Sequence, residues 1–168
     1  NSSGEVSIPS VVSYNGNNYY VTTVGDKAFF RCDGLASVTI PNSVTAIGNG
    51  AFVLCEQLTS VTIPNSVTAI GDEAFYHCYG LISINVDSGN SYDKSIDGVL
   101  FNFDATTLIQ CPEGNSRTNY VIPNSVTTIG NEAFSGCNGL TAVTIPNSVT
   151  TIGNGAFSDC NRLTSVTI

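Results

Sequence analysis

The chain has 168 residues, 5 basic against 13 acidic side chains, a net charge of −8 and a single histidine. Charged residues make up only 11 % of it, against roughly 25 % in an ordinary soluble domain, so serine, threonine and asparagine supply most of the solvated surface. Five scattered cations form no phosphate-binding face, which excludes nucleic acid; no apolar run approaches the ~20 residues of a bilayer span; and one imidazole excludes histidine-based catalysis and multi-histidine metal sites.

Read from its start, Asn1-Ser-Ser-Gly-Glu-Val has neither a basic nor an apolar stretch, as expected after removal of a leader or in a piece of a longer chain. Asn1-Ser2-Ser3 is a glycosylation sequon. A repeating pattern then begins. Its first unit, Ile8 to Thr39, has 32 residues, with the excess around Tyr14-Asn15-Gly16-Asn17, a strong hairpin-turn signal. Ile40–Thr62 and Ile63–Asn85 are regular 23-residue copies, Val86–Val121 is a 36-residue variant, and Ile122–Thr144 and Ile145–Thr167 are regular again. The copies 40–62 and 145–167 differ at only five positions. Ile168 falls within the pattern, so the array is expected to be a fragment or the end of a longer one.

Inside a copy each stretch has its own signature. Leu58-Thr-Ser-Val61-Thr-Ile63 alternates apolar and polar residues, a strand with one buried face. Pro64 ends its pairing, having no amide proton. Val67–Ile70 reads as a second short extended segment that Gly71 breaks. Asp72 to Cys78 is expected to form one or two helical turns, with the acids at the positive N-terminal end and Ala74, Phe75 and Cys78 inward. No copy can bury its apolar side alone. Stacking makes Val38, Val61, Ile84, Val143 and Val166 one continuous ladder and Phe29, Phe52, Phe75, Phe134 and Phe157 another, the physics of a solenoid of about seven rungs.

The frame Cys55-x-x-Leu58-x-x-Val61-x-Ile63-Pro64-x-Ser66-Val67-x-x-Ile70-Gly71-x-x-Ala74-Phe75-x-x-Cys78 resembles the BspA-type leucine-rich repeat. Asp97-Gly98-Val99-Leu100-Phe101, followed by Thr107–Pro112, resembles the longer variant repeat such proteins interpose. The resemblance covers nearly the whole chain. It implies a curved parallel-strand solenoid, and a secreted or surface-attached bacterial or protist protein that binds host or neighbour-cell macromolecules.

Few residues suggest chemistry. Cys32, Cys55, Cys78, Cys137 and Cys160 recur three residues after each phenylalanine, so their side chains run parallel and are poorly disposed for disulfides; they read as buried thiols behaving as small hydrophobes. Cys111 takes the place of the isoleucine before Pro112 and is expected to face the core. His77 sits in a column also occupied by Arg31, Leu54, Gly136 and Asp159, and reads as an exposed, tolerant position. Asp72/Glu73 read as helix N-terminal charges. Asp87-Ser-Gly-Asn90-Ser-Tyr-Asp93 is oxygen-rich but matches no calcium loop, and reads as an ordinary loop. No catalytic, metal or cofactor-binding residue is expected, and no cofactor.

Two surfaces qualify for binding. One is the outward face of the regular strands, a ladder of small polar residues including Ser60, Thr62, Ser83 and Asn85. The other is the variable pair before each cysteine, apolar or aromatic in the first copies (Phe30, Val53, Leu54, Tyr76, extended by Tyr79) and small or polar in the last two. The array is therefore expected to be a single β-rich (α/β repeat) leucine-rich-repeat solenoid over 1–168. Its parts are an N-terminal variant with a hairpin (1–39), two regular repeats (40–85), a longer variant (86–121) and two truncated-looking regular repeats (122–168). The expected function is a non-catalytic, secreted or cell-surface binding module for adhesion to a matrix-type host protein, another cell-surface protein or a glycan. The alternative is a spacer that projects another domain. An open final strand edge predicts weak self-association.

Overall fold

The computed structural model describes residues 4–168, so the Asn1 sequon lies outside the described residues. Its backbone is a stack of turns, each contributing one longer strand and one short strand. The long strands form two parallel sheets. The first contains β1 (Glu5–Ser7), β5 (Ser37–Thr39), β7 (Ser60–Ile63) and β9 (Ser83–Val86); the second contains β13 (Asn119–Val121), β15 (Ala142–Thr144) and β17 (Ser165–Thr167). Seven long strands thus bound six complete turns. Register holds at the repeat length: Val61 pairs with Ile84 and Val143 with Val166.

The short strands make a second side. β4 (Thr23–Val24), β6 (Ala46–Ile47) and β8 (Ala69–Ile70) form one ladder; β14 (Thr128–Ile129) and β16 (Thr151–Ile152) continue another. In the long variant, β10 (Asp93–Ile96) and β11 (Val99–Asn102) make an antiparallel hairpin, and β12 (Thr107–Gln110) pairs antiparallel with β11 and parallel with β14. A separate hairpin, β2 (Val11–Tyr14) and β3 (Asn17–Tyr20), projects from the first turn about Asn15 and Gly16, both at positive φ (48° and 78°).

The expected helical turns do not form: among the described residues there is no helix, and none long and apolar enough to cross a membrane. Asp72–Cys78 and its equivalents are runs of tight turns. The residues two before and two after each phenylalanine are left-handed, for example Glu73 (φ 56°) and His77 (φ 57°), and Lys27 (54°) and Arg31 (57°). Alternate amides turn outward to the next rung: Lys27, Phe29 and Arg31 N–H donate to the carbonyls of Asn49, Ala51 and Val53 at 2.8–3.0 Å. Those between, such as Phe30 and Cys32, close turns onto residues three back. Interrung bonding therefore displaces the i→i−4 bonds a helix would need. The acids are not helix charges either. Asp26 Oδ1 accepts the Asn49 N–H and Asn49 Oδ1 the Asp72 N–H, at 2.8 and 2.9 Å, a side-chain ladder down the array.

The apolar ladders form but do not run unbroken. Phe29, Phe52 and Phe75 stack with centroids 5.0 and 5.4 Å apart and nearly parallel rings, and Phe134 stacks on Phe157 at 5.0 Å. Between Phe75 and Phe134 the variant repeat intervenes, and the buried residues divide into two clusters, one spanning Val24 to Leu100 and one Val99 to Ala156. The valine ladder is split likewise, between Ile84 and Tyr120. β11 is the partition: Leu100 enters the first core while Val99 and Phe101, on its other face, enter the second. This is the two-residue alternation of a strand used to serve two cores.

All six cysteines are free. The thiols of Cys55, Cys78 and Cys160 donate to the carbonyls of Phe29, Phe52 and Phe134, 26 residues earlier, at 3.1, 3.0 and 2.9 Å. Cys111 is buried as expected, but not as the isoleucine of an Ile-Pro corner. Its N–H donates to the Ala133 carbonyl (2.7 Å) as Phe29 N–H does to Ala51, so it stands in the phenylalanine column. The Asp87–Asp93 loop is likewise structural. Buried Asn90 donates to the Pro64 and Val67 carbonyls and accepts the Tyr92 and Asp93 amides, all at 2.8–2.9 Å.

Candidate functional site

The turn segments fix the variable residues. Phe30, Val53 and Tyr76 occupy the same column on successive rungs, and the structure brings them together in a shallow depression of about 470 Å³ with Lys27, Glu73 and His77. Phe30 is 44 % exposed, with the Lys27 ammonium 5.9 Å from its ring centre; Val53 and Tyr76 are half-buried. Leu54 and Tyr79 lie outside the depression. Leu54 is half-buried and left-handed (φ 61°); Tyr79 is exposed and joined to the patch through His77, whose ring is 3.8 Å from Tyr76 and 5.3 Å from Tyr79.

His77 is more than a tolerated surface residue. It is partly buried, and its N–H donates to Glu113 Oε1 at 2.7 Å while its Nδ1 lies 3.9 Å from the same oxygen. Glu113 is only 6 % exposed, and its Oε2 has no partner. Across from it a Cβ on Gly136 would come 2.7 Å from Oε2, and Gly136 has φ 70°, so this copy needs glycine where others carry side chains. Two more bonds tie the halves together here: Gly114 N–H to the Leu81 carbonyl (2.8 Å) and Asn115 Nδ2 to the Ile82 carbonyl (3.1 Å).

Burial pushes the Glu113 carboxyl up to about 7, with the His77 N–H pulling it down and the Asp159 charge adding to the rise. An unfolded glutamate titrates near about 4.3. The folded chain therefore holds this proton more tightly, and the stability it confers is lost as pH rises from about 4.3 through 7. Melting temperature is expected to fall between pH 5 and 8, and Glu113→Gln, which keeps an acceptor for His77 N–H, to flatten that fall. An unchanged slope in the variant would show that other groups set it; Asp93, also raised by burial, is the next to test.

The strand face carries its polar ladder only in part. Ser60, Thr62 and Asn85 are exposed, but Ser83 is half-buried. The tip of the β10–β11 hairpin lies against it: a Cβ on Gly98 would be 3.0 Å from Ser83 Cβ, and Ile84 N–H donates to the Gly98 carbonyl at 2.9 Å. The Arg117 guanidinium bonds the Asp97 carbonyl and clamps that tip.

The most exposed aromatic surface is one that sequence reasoning passed over. On the β2–β3 hairpin Val12 (45 %), Tyr14 (69 %), Tyr19 (52 %) and Tyr20 (73 %) all face solvent. The signal was there: an Asn-Gly turn between Val-Val-Ser-Tyr and Asn-Asn-Tyr-Tyr, an apolar hairpin with no complementary segment. Glu113 was also missed, since it is a single acid in a variant stretch with no counterpart in the other copies. Among the described residues there is no group of three or more His, Cys, Asp or Glu able to hold a metal ion.

Parallel strands at a 23-residue register, stacked phenylalanines and a third ladder of interrung turns define a leucine-rich-repeat solenoid. The chain belongs to the BspA-type leucine-rich-repeat family, whose sequence profile for the BspA type leucine rich repeat region matches six copies over residues 22–119 and 110–168. Among solved structures it is similar to a leucine rich cell surface protein of Faecalibacterium prausnitzii, 37 % identical with a TM-score of 0.82, over 98 % of this chain and 41 % of that one. It is also similar to a leucine-rich repeat protein of Bacteroides ovatus (33 % identity, TM-score 0.54, 98 % of this chain and 33 % of that one). The pneumococcal vaccine antigen PcpA shares the fold at 19 % identity, with a TM-score of 0.66 over 98 % of this chain and 60 % of that one. The chain spans 33 to 60 % of the length of these three proteins. None of the curated proteins matches it.

Proposed function

We propose that the chain is a non-catalytic binding module of a secreted or surface-attached protein, adhering to a host or neighbour-cell macromolecule through the aromatic side of its first three rungs. The observation that carries this reading is an asymmetry. Phe30, Val53, Tyr76 and Tyr79 cluster on the N-terminal rungs, near which the tyrosine hairpin also projects, whereas the equivalent positions of the last copies hold Ser135 and Ser158. The stacking of rungs does not require the difference, because Phe134 stacks on Phe157 at 5.0 Å beside the serines, as Phe29 stacks on Phe52 at 5.0 Å beside Phe30 and Val53. Contiguous exposed aromatic surface is the composition of partner sites, and a preformed array loses little ordering entropy on binding. Membership of a family with a cell-surface relative supports the location.

The test is binding to a panel of matrix proteins and glycans, beside a variant carrying Val53→Ser, Leu54→Asp and Tyr76→Ser, substitutions its sister repeats already carry in these columns. Saturable binding weakened at least tenfold in a variant with unchanged melting temperature supports the reading. Binding retained would move the site to the strand face or the hairpin. No binding at all favours the second reading, a spacer, which the near-identity of copies 40–62 and 145–167 also favours.

A further inference from the structure

The described residues hold two β-hairpins, and the fold covers only one of them. In β10–β11 the second edge of β11 pairs with β12, and Val99, Leu100 and Phe101 are wholly buried. In β2–β3 neither happens. All eight of its strand residues are exposed, and its strands pack on each other and on no other strand of the chain. A two-stranded hairpin is marginal in water by itself, and further strands or a covering face stabilise it. Its register shows what the open edges offer. The Val21 N–H donates to the Ser10 carbonyl at 2.9 Å, and residue pairs along an antiparallel ladder alternate between bonded and unbonded. The bonded pairs are then Val12 with Tyr19 and Tyr14 with Asn17. The N–H and C=O groups of Asn18 and Tyr20 point away from β2, and they have no backbone partner among the described residues.

Open strand edges are ordinarily guarded by charge or proline. β1 carries Glu5 and β10 carries Asp93 and Lys94, whereas no charged side chain occurs from Val6 to Gly25. The chain as a whole has a net charge of −8. On the hairpin, therefore, two copies can meet without like charges directly opposed. β3 is the better of its two edges. A strand pairing with its own copy sets its central residue against itself, Tyr19 on Tyr19 for β3 and valine on valine for β2, and aromatic pairs are among the stabilising ones.

We infer that β3 is a self-association edge, on which β3 of a second copy pairs antiparallel about a two-fold axis to form a four-stranded sheet with the β2 strands outermost. Asn18 of each copy exchanges N–H···O bonds with Tyr20 of the other. Tyr19 meets its counterpart on the axis, in the unbonded position where side chains stand closest. Val12 and Tyr19 of one copy then continue into Tyr19 and Val12 of the other as one apolar row. Tyr19 and Tyr20 are 52 % and 73 % exposed. At about 200 Å² per aromatic side chain they bring roughly 250 Å² per copy, short of the ~800 Å² per partner of a standard stable interface. The dimer is therefore weak and reversible. It carries two aromatic depressions, which raises apparent affinity for a surface bearing many copies of a ligand. No hairpin residue lines that depression, so pairing and adhesion are separable.

The experiment is equilibrium sedimentation of the whole chain from about 10 μM to about 1 mM, the range of a weak complex. A monomer–dimer equilibrium is expected. Tyr19→Lys and Tyr19→Glu each set like charges face to face on the axis. Each is expected to weaken dimerisation at least tenfold with unchanged circular dichroism, and an equimolar mixture of the two to regain it as a heterodimer. Tyr19→Cys is expected to give a disulfide-linked dimer on mild oxidation, because Cα atoms in the unbonded position lie about 4.5 Å apart. Tyr14→Cys, on the same face but off the axis, is expected to give none. A strict monomer across the range, a mixture no better than its components, or dimerisation that survives both charged variants would each overturn the inference. The last of these would move the contact to another edge, β17 of the final rung being the next to test.

Discussion

Phe52→Ala is expected to lower unfolding stability by about 4 kcal/mol, within the 3–5 kcal/mol observed for phenylalanine deletions in cores. Phe52 is completely buried and stacked on both sides, 5.0 Å from Phe29 and 5.4 Å from Phe75, so its loss removes two aromatic contacts and leaves a cavity between rungs. In a solenoid each interface is a nearest-neighbour contribution, and a middle rung belongs to two of them. Phe157, half-buried and with only Phe134 for a neighbour, should cost about half as much, roughly 2 kcal/mol. Urea denaturation of the two variants checks this; equal losses would mean that the rungs do not stabilise one another through this column.

Gly48→Ala should be nearly as damaging, for a reason visible only in the stacked state. A Cβ there would stand 2.5 Å from the Asp26 amide nitrogen and Oδ1 and 2.7 Å from the Gly25 carbonyl carbon, where nothing can yield without moving the preceding rung. It would also disturb the Asp26 to Asn49 bond. The expected loss is about 3 kcal/mol, the upper end of ordinary overpacking. Gly25 is the same column one rung earlier, and a Cβ there meets nothing within 4 Å. Gly25→Ala should therefore change stability by less than about 0.5 kcal/mol. Comparable losses at both positions would show that backbone freedom, rather than interrung closeness, selects glycine in this column.

These two residues show how much was legible beforehand. A 23-residue period with Phe, Cys, Ile-Pro and Gly in fixed columns dictates stacking, because every column then meets itself; the ladders and the thiol positions followed directly. The turn conformation did not. Asp72-Glu-Ala-Phe-Tyr-His-Cys has a composition compatible with helix, and nothing in Glu73 or His77 as residue types announces a left-handed backbone. Read by column the signal is present: the Glu73 column holds Gly50 and Gly155, and the His77 column holds Gly136, all three at positive φ. The continuity of the ladders was overestimated because the copies before and after the variant are so alike. What interrupts them, the β10–β11 hairpin with Glu113 and Arg117, is the part with no internal copy to compare. The binding surfaces were legible only as exposed variability. Which of Phe30, Val53, Leu54, Tyr76 and Tyr79 share a depression depends on turn geometry that the pattern does not encode.

The divided core also has a mechanical consequence. A chain anchored at one end and gripped at the other transmits tension along the stacking axis, and its extension depends on where neighbouring rungs separate first. Within each half every pair of rungs is riveted by three ladders of backbone bonds. At the junction β8 has no strand beside it, and connection rests on the partition strand β11, the Gly98 tip and the contacts of Glu113, Gly114 and Asn115. The molecule is thus two stiff springs in series through one compliant link. Pulled at a steady rate it should yield at that link first, absorbing load in a short step before either half unravels.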